Sequence, residues 1–354
     1  MGYLDTLNTE VRDYFRILSP EFPGWLLDYL ETPALRRIGG ISMSCGTDYS
    51  PCFHFRYWYS NLDHSVGVAL IVWHFTHDKK QTLAGLLHDI AVPVFKHCID
   101  FMNGDAQTQE STEERTSELI RTSPELMALL RRDGIAPEEV EDYKIYPIAD
   151  NATPRLSADR FEYTFSSGLT FFRVWELAAI RRVYENVTVL KNEDGTDELG
   201  FRDLSVCEDY IDTAAQLWYQ WVSDKDRTVM QFLADICRSM AAAGYLTADE
   251  LYTLSEREVI ERIRTCPDRY LAECFRLFQA ADEVYVSPVP VEGRYCINVT
   301  TKTRYVAPLV QTRHGAERVN RLSRRAADCI AADLASPKGG RYTGFDFPFR
   351  PYGK

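Results

Sequence analysis

The sequence predicts a mainly α-helical protein with one β-hairpin and a small β-containing lobe near its C-terminal end. Three observations lead to this prediction. Apolar residues recur at helical spacing through most of the 354 residues. Residues 187–201 place an Asp194-Gly195 turn between two apolar runs, a pattern typical of a hairpin. Residues 284–306 are rich in Tyr, Val, Ile and Thr, which favour strands.

Composition and charge narrow the classes of protein that the sequence fits. Hydrophobic residues make up 45% of the chain, enough for a large buried core. The formal net charge of −12 argues against general nucleic-acid binding and against an anionic membrane as partner, since both favour basic proteins. The longest apolar run, residues 66–73, is much shorter than the ~20 residues of a membrane span.

The number and spacing of the cysteines help to predict the cellular compartment of the protein. The nine cysteines are scattered and never spaced as CxxC, so the sequence predicts neither a disulfide framework nor a zinc ribbon. The first residues do not match the pattern of a secretory signal. We therefore expect a cytoplasmic protein.

The predicted elements divide the chain into a helical core, residues 1–185, and a second part, residues 186–354, with further helices, a small sheet and a tail without periodicity. Apolar spacing, capping residues and prolines place the helices. The helix at residues 62–76 is apolar on more than one side, which predicts a central position. In chain order, the predicted helices cover residues 4–18, 33–38, 62–76, 83–90, 93–102, 111–121, 156–165, 168–185, 207–224, 227–243 and 316–334, with shorter helices capped by Thr247 and Ser255.

One of these helices, residues 83–90, carries an adjacent His88 and Asp89 at the edge of its apolar stripe. Imidazole nitrogen and carboxylate oxygen both bind divalent metals, but two ligands rarely hold one. His64, near the start of the preceding central helix, and Asp159, in a later helix, are the nearest further candidates. The sequence therefore allows a metal site built from three helices.

This order of a His, a His-Asp pair and a distant Asp in helical surroundings resembles the HD-domain metal-dependent phosphohydrolases. Four segments look, in order, like successive signatures of the deoxynucleoside triphosphate triphosphohydrolase branch, which includes dGTPase. They are residues 33–39 (PALRRIG), 63–67 (DHSVG), 84–97 (AGLLHDIAVPVFKH) and 158–163 (ADRFEY). The resemblance covers most of the chain and is strongest from residue 33 to residue 165.

The resemblance implies an all-helical HD-domain core for residues 1–185 and metal-assisted hydrolysis of a nucleotide or another phosphorylated small molecule. It also implies one divalent metal ion, which could be Mn, Fe, Mg, Ni or Zn, and a homo-oligomer. His97 and Asp100 match positions that orient or deprotonate the attacking water. Arg160 would contact a phosphate, and Tyr163 would lie against the substrate. The implied metal ligands are His64, His88, Asp89 and Asp159.

The sequence departs from that branch at four positions. Val92 replaces the second His of an HDIGH pattern, and Gln109 replaces a catalytic His. Asn61 replaces an Arg, and Ser167 an acid that would contact the sugar; Asn61 and Gln109 stay candidates for substrate contact. Loss of a general acid or base costs about 10²- to 10⁴-fold in rate. An alternative function is therefore a catalytically weakened HD scaffold that binds a nucleotide as a sensor or an assembly protein.

The same residues also have structural interpretations. Buried imidazoles can be satisfied core groups, Asp159 can complement a helix dipole, and His97 with Asp100 can be a surface pair. Phe171, Phe172 and Trp175 are interpreted as core residues rather than a stacking platform. The last predicted helix carries three arginines at spacing i, i+3 and i+7: Arg318, Arg321 and Arg325. Together they form either an anion site or a solvated face.

Overall fold

The computed structural model of the protein describes residues 2–109, 111 and 115–353. Within these residues 52% are helical and 9% lie in strands, which confirms the mainly α prediction. The helices are α1 (Tyr3–Thr6), α2 (Thr9–Leu18), α3 (Leu26–Leu30), α4 (Pro33–Ile38), α5 (Asn61–Thr76), α6 (Lys79–Leu87), α7 (His97–Met102), α8 (Thr116–Thr122), α9 (Pro124–Asp133), α10 (Ala158–Thr170), α11 (Leu177–Tyr184), α12 (Leu204–Trp221), α13 (Asp224–Ala242), α14 (Ala248–Leu251), α15 (Glu256–Arg264), α16 (Arg269–Phe278), α17 (Val319–Leu322) and α18 (Arg324–Ala335).

The strands form two small sheets in the described part of the chain. They are β1 (Val187–Lys191), β2 (Asp197–Phe201), β3 (Tyr285–Ser287), β4 (Tyr295–Ile297), β5 (Leu309–Thr312), β6 (Gly315–Arg318) and β7 (Tyr342–Phe345). The first sheet has the order β1-β2-β5-β6, in which β2 and β5 are parallel and the other neighbours antiparallel. The second sheet, β3-β7-β4, is antiparallel throughout.

The predicted hairpin is confirmed, and some of its side chains are buried in the main hydrophobic core. β1 and β2 pair antiparallel around a turn in which Gly195 has φ +74°. Val187 and Leu199 of this hairpin and Val310 of β5 belong to the main hydrophobic cluster, together with residues of α2, α5 and α10. The expectation of an all-helical core is therefore wrong, because strand side chains are buried among the helices.

The C-terminal part departs from two further predictions. The predicted helix at residues 316–334 begins as β6 and continues as α17 and α18. Ser323 ends α17 and caps α18, accepting a hydrogen bond from the backbone N–H of Ala326 at 3.1 Å. The aperiodic tail supplies β7, the central strand of the second sheet. Gly344 of β7 lies so close to the backbone of Tyr295 that no Cβ would fit. This segment therefore forms a strand because it pairs closely with its neighbours, and not because its sequence alternates apolar and polar residues.

The N-terminal half follows the predicted order with shifted ends. The opening helix is split into α1 and α2, because the Asn8 side chain caps α2 by accepting a hydrogen bond from the N–H of Glu10 at 2.8 Å. The predicted helix at residues 111–121 rests on a capping-box pattern at residues 111–114, of which only Ser111 lies among the described residues; α8 begins at Thr116. None of the described helices is long and apolar enough to cross a membrane.

Buried side chains form two hydrophobic clusters. The larger surrounds α5, whose residues 61–72 are all buried, which confirms the predicted central position. The second surrounds α13 and includes residues of α7, α15, α16 and the tail. Both clusters contain residues from each side of residue 185, and the division of the chain at that point stays a prediction.

Helices α5 and α10 approach each other most closely at Gly67. A Cβ at Gly67 would lie 2.7 Å from both Cγ and Oε1 of Glu162 on α10. Glycine is therefore required here for close helix packing, because any side chain would displace Glu162.

We expect Gly67→Ala to destabilise the fold, since Glu162 is buried and hydrogen-bonded and cannot move freely. Overpacking of this kind costs about 1–3 kcal/mol. Urea unfolding measures the loss. Gly24→Ala is the control, because no described atom lies within 4 Å of the Cβ it would add. Equal free energies of unfolding for the two variants would contradict this account of the helix contact.

Candidate metal centre

Helix α5 holds the first predicted ligand, His64, in its first turn. The hydroxyl of Ser60 accepts a hydrogen bond from the N–H of Asp63 at 3.1 Å, and the Asp63 carboxylate accepts one from the N–H of Ser60 at 2.9 Å. This reciprocal capping box fixes the start of the helix. Tyr3 donates a further hydrogen bond to Asp63 at 2.8 Å. His64 is consequently held in the interior, at 2% exposure.

The second pair of ligands lies where α6 ends. The helix stops at Leu87, so His88 is its C-terminal cap and Asp89 lies in the following turn. The predicted apolar stripe of α6 is buried as expected. Arg37 of α4 donates hydrogen bonds to the carbonyl oxygens of Ile90 at 2.9 Å and Val92 at 2.7 Å. The PALRRIG segment therefore fixes the backbone directly after Asp89.

The four predicted ligands converge. Nε2 of His64 lies 3.2 Å from Nε2 of His88 and 3.1 Å from Oδ1 of Asp159. Nε2 of His88 lies 3.6 Å from both Oδ2 of Asp89 and Oδ1 of Asp159. One ligand atom each of His64, His88 and Asp89 lies within 4.8 Å of the other two, and Oδ1 of Asp159 approaches both imidazoles from the third helix. No local pattern links Asp159 to the other three.

The outer nitrogen of each imidazole has an acceptor that orients the ring. Nδ1 of His64 hydrogen-bonds to Oε2 of Glu162, and Nδ1 of His88 to the carbonyl oxygen of Gly85 at 2.7 Å. Both Nε2 atoms are therefore directed at the carboxylates. Imidazoles that bind metals show this arrangement, with the far N–H donated to a carboxylate or carbonyl. The donor set fits a divalent cation held by His64, His88, Asp89 and Asp159.

The carboxylates are ionised well below neutral pH. Burial alone would raise the pKa of Asp89, but Lys96 and the two imidazoles hold that pKa well below its usual range. Burial likewise opposes ionisation of Asp159, yet its hydrogen bond with His64 and the nearby imidazoles lower its pKa to about 2. Burial lowers the pKa of His64, and the charges of Glu162 and Asp159 outweigh it, raising the pKa to about 9.

The structure adds a cation that the sequence interpretation missed. Nζ of Lys96, 5% exposed, lies 2.9 Å from Oδ2 of Asp89 and donates to Oδ1 of Asn61. The sequence places Lys96 inside a predicted helix at residues 93–102, where nothing distinguishes it from a solvated lysine, whereas in the structure it directly precedes α7. Asn61, predicted to contact substrate, is fully buried behind Lys96 and is not among the residues that line the cavity.

His97 and Asp100 form the pair that the resemblance predicts. Nδ1 of His97 hydrogen-bonds to Oδ2 of the fully buried Asp100 at 2.9 Å, and the hydroxyl of Ser111 donates to Oδ1 at 2.6 Å. Burial and the charges of Arg304 and Lys96 lower the pKa of His97, although Asp100 opposes them. A neutral imidazole with Nδ1–H donated to Asp100 leaves Nε2 as a proton acceptor.

The other predicted substrate contacts line the same cavity but are engaged by protein groups. Nη1 of Arg160 donates to Oδ1 of Asn151 at 2.7 Å and lies 3.3 Å from Oδ1 of Asp150. Gln109 accepts a hydrogen bond from Arg304 through Oε1. Tyr163 packs edge-on against Trp221, with 5.2 Å between the ring centroids.

These residues surround one cavity of about 630 Å³, a volume typical of sites for small molecules. Phe171 and Phe172 line it with Tyr163, so the interpretation of both phenylalanines as core residues alone is too narrow. The departures Val92 and Ser167 also face it. Its cationic side chains are Lys96, Lys144, Arg160, Lys302 and Arg304.

Asp226 of α13 is a second cavity residue that the sequence interpretation missed. Its side chain lines the cavity at 9% exposure, and burial raises its pKa to about 8, although Arg304 opposes this. At neutral pH the cavity wall therefore carries a protonated carboxyl that can donate a hydrogen bond. The cations consequently outweigh the ionised acids away from the ligand carboxylates.

Of the two interpretations left open for the three arginines, an anion site is not formed. Arg318 lies in β6 and pairs with Glu193 at 2.7 Å and Glu198 at 2.6 Å. Arg321 pairs with Glu317 at 3.2 Å, and Arg325 with the carboxylate of Asp212. Each guanidinium has an acidic partner of this chain.

The comparisons with known proteins are partial in sequence. No family model matches the chain. YdhJ of Bacillus subtilis, an uncharacterised protein, is 30% identical over 103 residues, 29% of this chain and 31% of that relative. Cns2 of Cordyceps militaris, named a metal-dependent phosphohydrolase, is 24% identical over 149 residues, 41% of each chain. The chain thus spans less than half the length of either relative.

Two solved structures are similar over nearly the whole chain. A hypothetical protein from Aquifex aeolicus has a TM-score of 0.65 at 15% identity, covering 92% of this chain and 93% of its own. A protein from Bacteroides thetaiotaomicron named a phosphohydrolase has a TM-score of 0.63 at 14% identity, with coverage of 92% and 96%. This chain shares their fold.

We expect metal affinity to increase with pH up to about 9. A metal at Nε2 of His64 displaces the proton that the raised pKa places there, whereas Asp159 is ionised throughout the range. Each pH unit below 9 should weaken Mn²⁺ binding by up to about tenfold, as measured by titration at pH 6, 7.5 and 9. Glu162→Gln should move this dependence to lower pH, because the charge that raises the pKa of His64 is lost. A constant affinity in the unmodified protein would contradict the assignment.

We expect Asp226→Asn to stabilise the fold increasingly from pH 4 to pH 8. The folded state holds a proton on Asp226 that the unfolded chain has lost, so this group makes stability fall as pH rises through that window. The gap between variant and parent should grow by at most about 1.4 kcal/mol per pH unit. Urea unfolding at several pH values measures it, with the exposed Asp249→Asn as control. Parallel pH profiles for all three proteins would refute the buried protonated carboxyl.

Proposed function

We propose that the protein is a metal-dependent phosphohydrolase of the HD type that acts on a nucleotide or a related phosphate ester. One observation carries the proposal: His64, His88, Asp89 and Asp159 converge on one wall of a cavity whose other charged groups are mainly cationic. The names of Cns2 and of the Bacteroides thetaiotaomicron protein support the same class of reaction.

The chemistry follows from the donor set and its surroundings. A bound divalent cation supplies Lewis-acid chemistry, since it lowers the pKa of water and offsets negative charge on a phosphoryl group. Glu162 and the Gly85 carbonyl keep Nε2 of each imidazole directed at the ligand carboxylates. Both imidazole rings are therefore already oriented for a cation held between them and the carboxylates.

His97 is the proposed base. Its lowered pKa keeps the imidazole neutral near pH 7, and Asp100 fixes the tautomer in which Nε2 is the acceptor. Nε2 then takes the proton of the attacking water, and Asp100 stabilises the imidazolium that forms. Asp100 is a positioning residue, because it is fully buried and does not line the cavity.

A nucleotide matches the remaining walls of the cavity. Arg304 and Lys302 lie on a loop that closes one side and offer charge to phosphates beyond the one attacked. Tyr163, Phe172 and Trp221 present aromatic faces and edges on which a nucleobase can stack. The resemblance to the dNTP triphosphohydrolases makes a deoxynucleoside triphosphate the first substrate to test.

A catalytically weakened nucleotide-binding scaffold is the second candidate. Gln109 favours it, because an amide held by Arg304 cannot transfer protons where the resembled branch has a His. Val92 favours it as well, since it places an apolar side chain on the cavity wall.

Assays with Mn²⁺, Fe²⁺, Mg²⁺, Ni²⁺ or Zn²⁺ separate the two candidates. Nucleoside mono- and triphosphates and bis(p-nitrophenyl) phosphate are the substrates, and released phosphate, triphosphate or nitrophenol is measured. We expect turnover with at least one metal and a loss of about 10²-fold or more in Asp89→Ala. Nucleotide binding without turnover would favour the scaffold. No metal uptake, with Asp89→Ala identical to the parent, would refute both.

A further inference from the structure

Lys96 lies in a strained turn that directs its side chain inward. Phe95 and Lys96 have φ angles of +63° and +45°, a region that favours glycine. The turn is held from outside by a hydrogen bond of 2.8 Å from the N–H of Val94 to the carbonyl oxygen of Leu251. The fully buried Phe95 packs edge-on against Tyr49, with 6.2 Å between ring centroids. Packing of the second cluster therefore maintains a backbone conformation that isolated residues would avoid.

The ammonium group has one strong, one neutral and one weak partner. Nζ lies 2.9 Å from the Asp89 carboxylate, donates to the amide oxygen of Asn61, and lies 3.0 Å from Sδ of Met43. A thioether is a weak acceptor, so one of the three donors of the ammonium is poorly satisfied. A buried cation with an underused donor on a cavity wall can bind an anionic oxygen.

Lys96 also shares Asp89 with the proposed metal. A divalent cation and the Lys96 ammonium carry three positive charges against the two carboxylates of Asp89 and Asp159, so this ligand set leaves room for a further anion. The phosphoryl group of the proposed substrate is such an anion. Asn61 stands where the resembled branch has an Arg, and it accepts a hydrogen bond from Lys96, whose side chain lines the cavity.

We propose that Lys96 binds a non-bridging phosphoryl oxygen of the substrate beside the metal, as the second cation of the centre. This inference rests on the proposed function and adds a binding residue to it. It predicts that Lys96 has opposite effects on two affinities, that for a divalent cation and that for phosphate. The ammonium repels a divalent cation that shares its carboxylate, and it attracts phosphate.

Lys96→Met separates this role from a structural one. We expect Mn²⁺ affinity to stay equal or to increase several-fold, because the competing positive charge is gone. We expect affinity for inorganic phosphate on the Mn²⁺-loaded protein to fall by about tenfold or more, the usual value of a charged hydrogen bond. Calorimetric titration measures both affinities, and thermal unfolding by circular dichroism reports folding.

Lys338→Met is the matched control. Lys338 is also a buried lysine, 9% exposed at its side chain and paired with Asp333 at 3.0 Å, but it lies outside the cavity. We expect it to leave both affinities unchanged. A fall of Mn²⁺ affinity in Lys96→Met, with phosphate affinity following it, would show that Lys96 only positions Asp89 and would overturn the proposal.

Two further variants keep the test decisive if Lys96→Met does not fold. Lys96→Arg retains the charge and Lys96→Gln does not, so phosphate affinity should be at least about tenfold higher in Lys96→Arg. Equal phosphate affinities in these two variants would overturn the proposal. A parent protein that binds Mn²⁺ and phosphate but hydrolyses no ester refutes the proposed function alone. Hydrolysis by the parent with undiminished phosphate affinity in Lys96→Met refutes this inference alone.

Discussion

The geometry of the centre depends on the buried carboxyl of Glu162. It hydrogen-bonds to Nδ1 of His64 and also accepts from the hydroxyls of Tyr59 at 2.6 Å, Tyr14 at 3.2 Å and Ser166 at 3.1 Å. These groups lie on α2, α5, α10 and the segment before α5. The orientation of a metal-binding imidazole is therefore set by the packing of the central helices, since moving any of them moves Glu162.

Charge is distributed unevenly over a protein that is acidic as a whole. The formal net charge is −12, yet lysine and arginine side chains face the cavity, and Asp226 is kept protonated there by burial. A locally positive space in an acidic protein raises the local concentration of small anions around it.

Features with a local signal could be predicted from the sequence. The buried stripe of α6, the central α5 and the β1-β2 hairpin follow from periodicity and one turn. The convergence of His64, His88 and Asp89 with Asp159 required the resemblance, because no spacing rule relates residues so far apart. β7 could not be predicted, since its pairing depends on Gly344 fitting against the backbone of another strand. Asp226 lies on a helix whose pattern indicates only amphipathicity.

The departures from the resembled branch show why position alone is a poor measure of lost function. At position 61 this sequence has Asn where the resembled branch has a positively charged Arg, and no adjacent position supplies that charge. In space, Lys96 donates to that same Asn61, so the charge is supplied by a residue 35 positions further along the chain. An electric field depends on where a charge lies and not on which helix carries it. A comparison by position therefore overstates the loss at residue 61. Gln109 differs, because an amide cannot transfer a proton as an imidazole does, and its Oε1 accepts a hydrogen bond from Arg304.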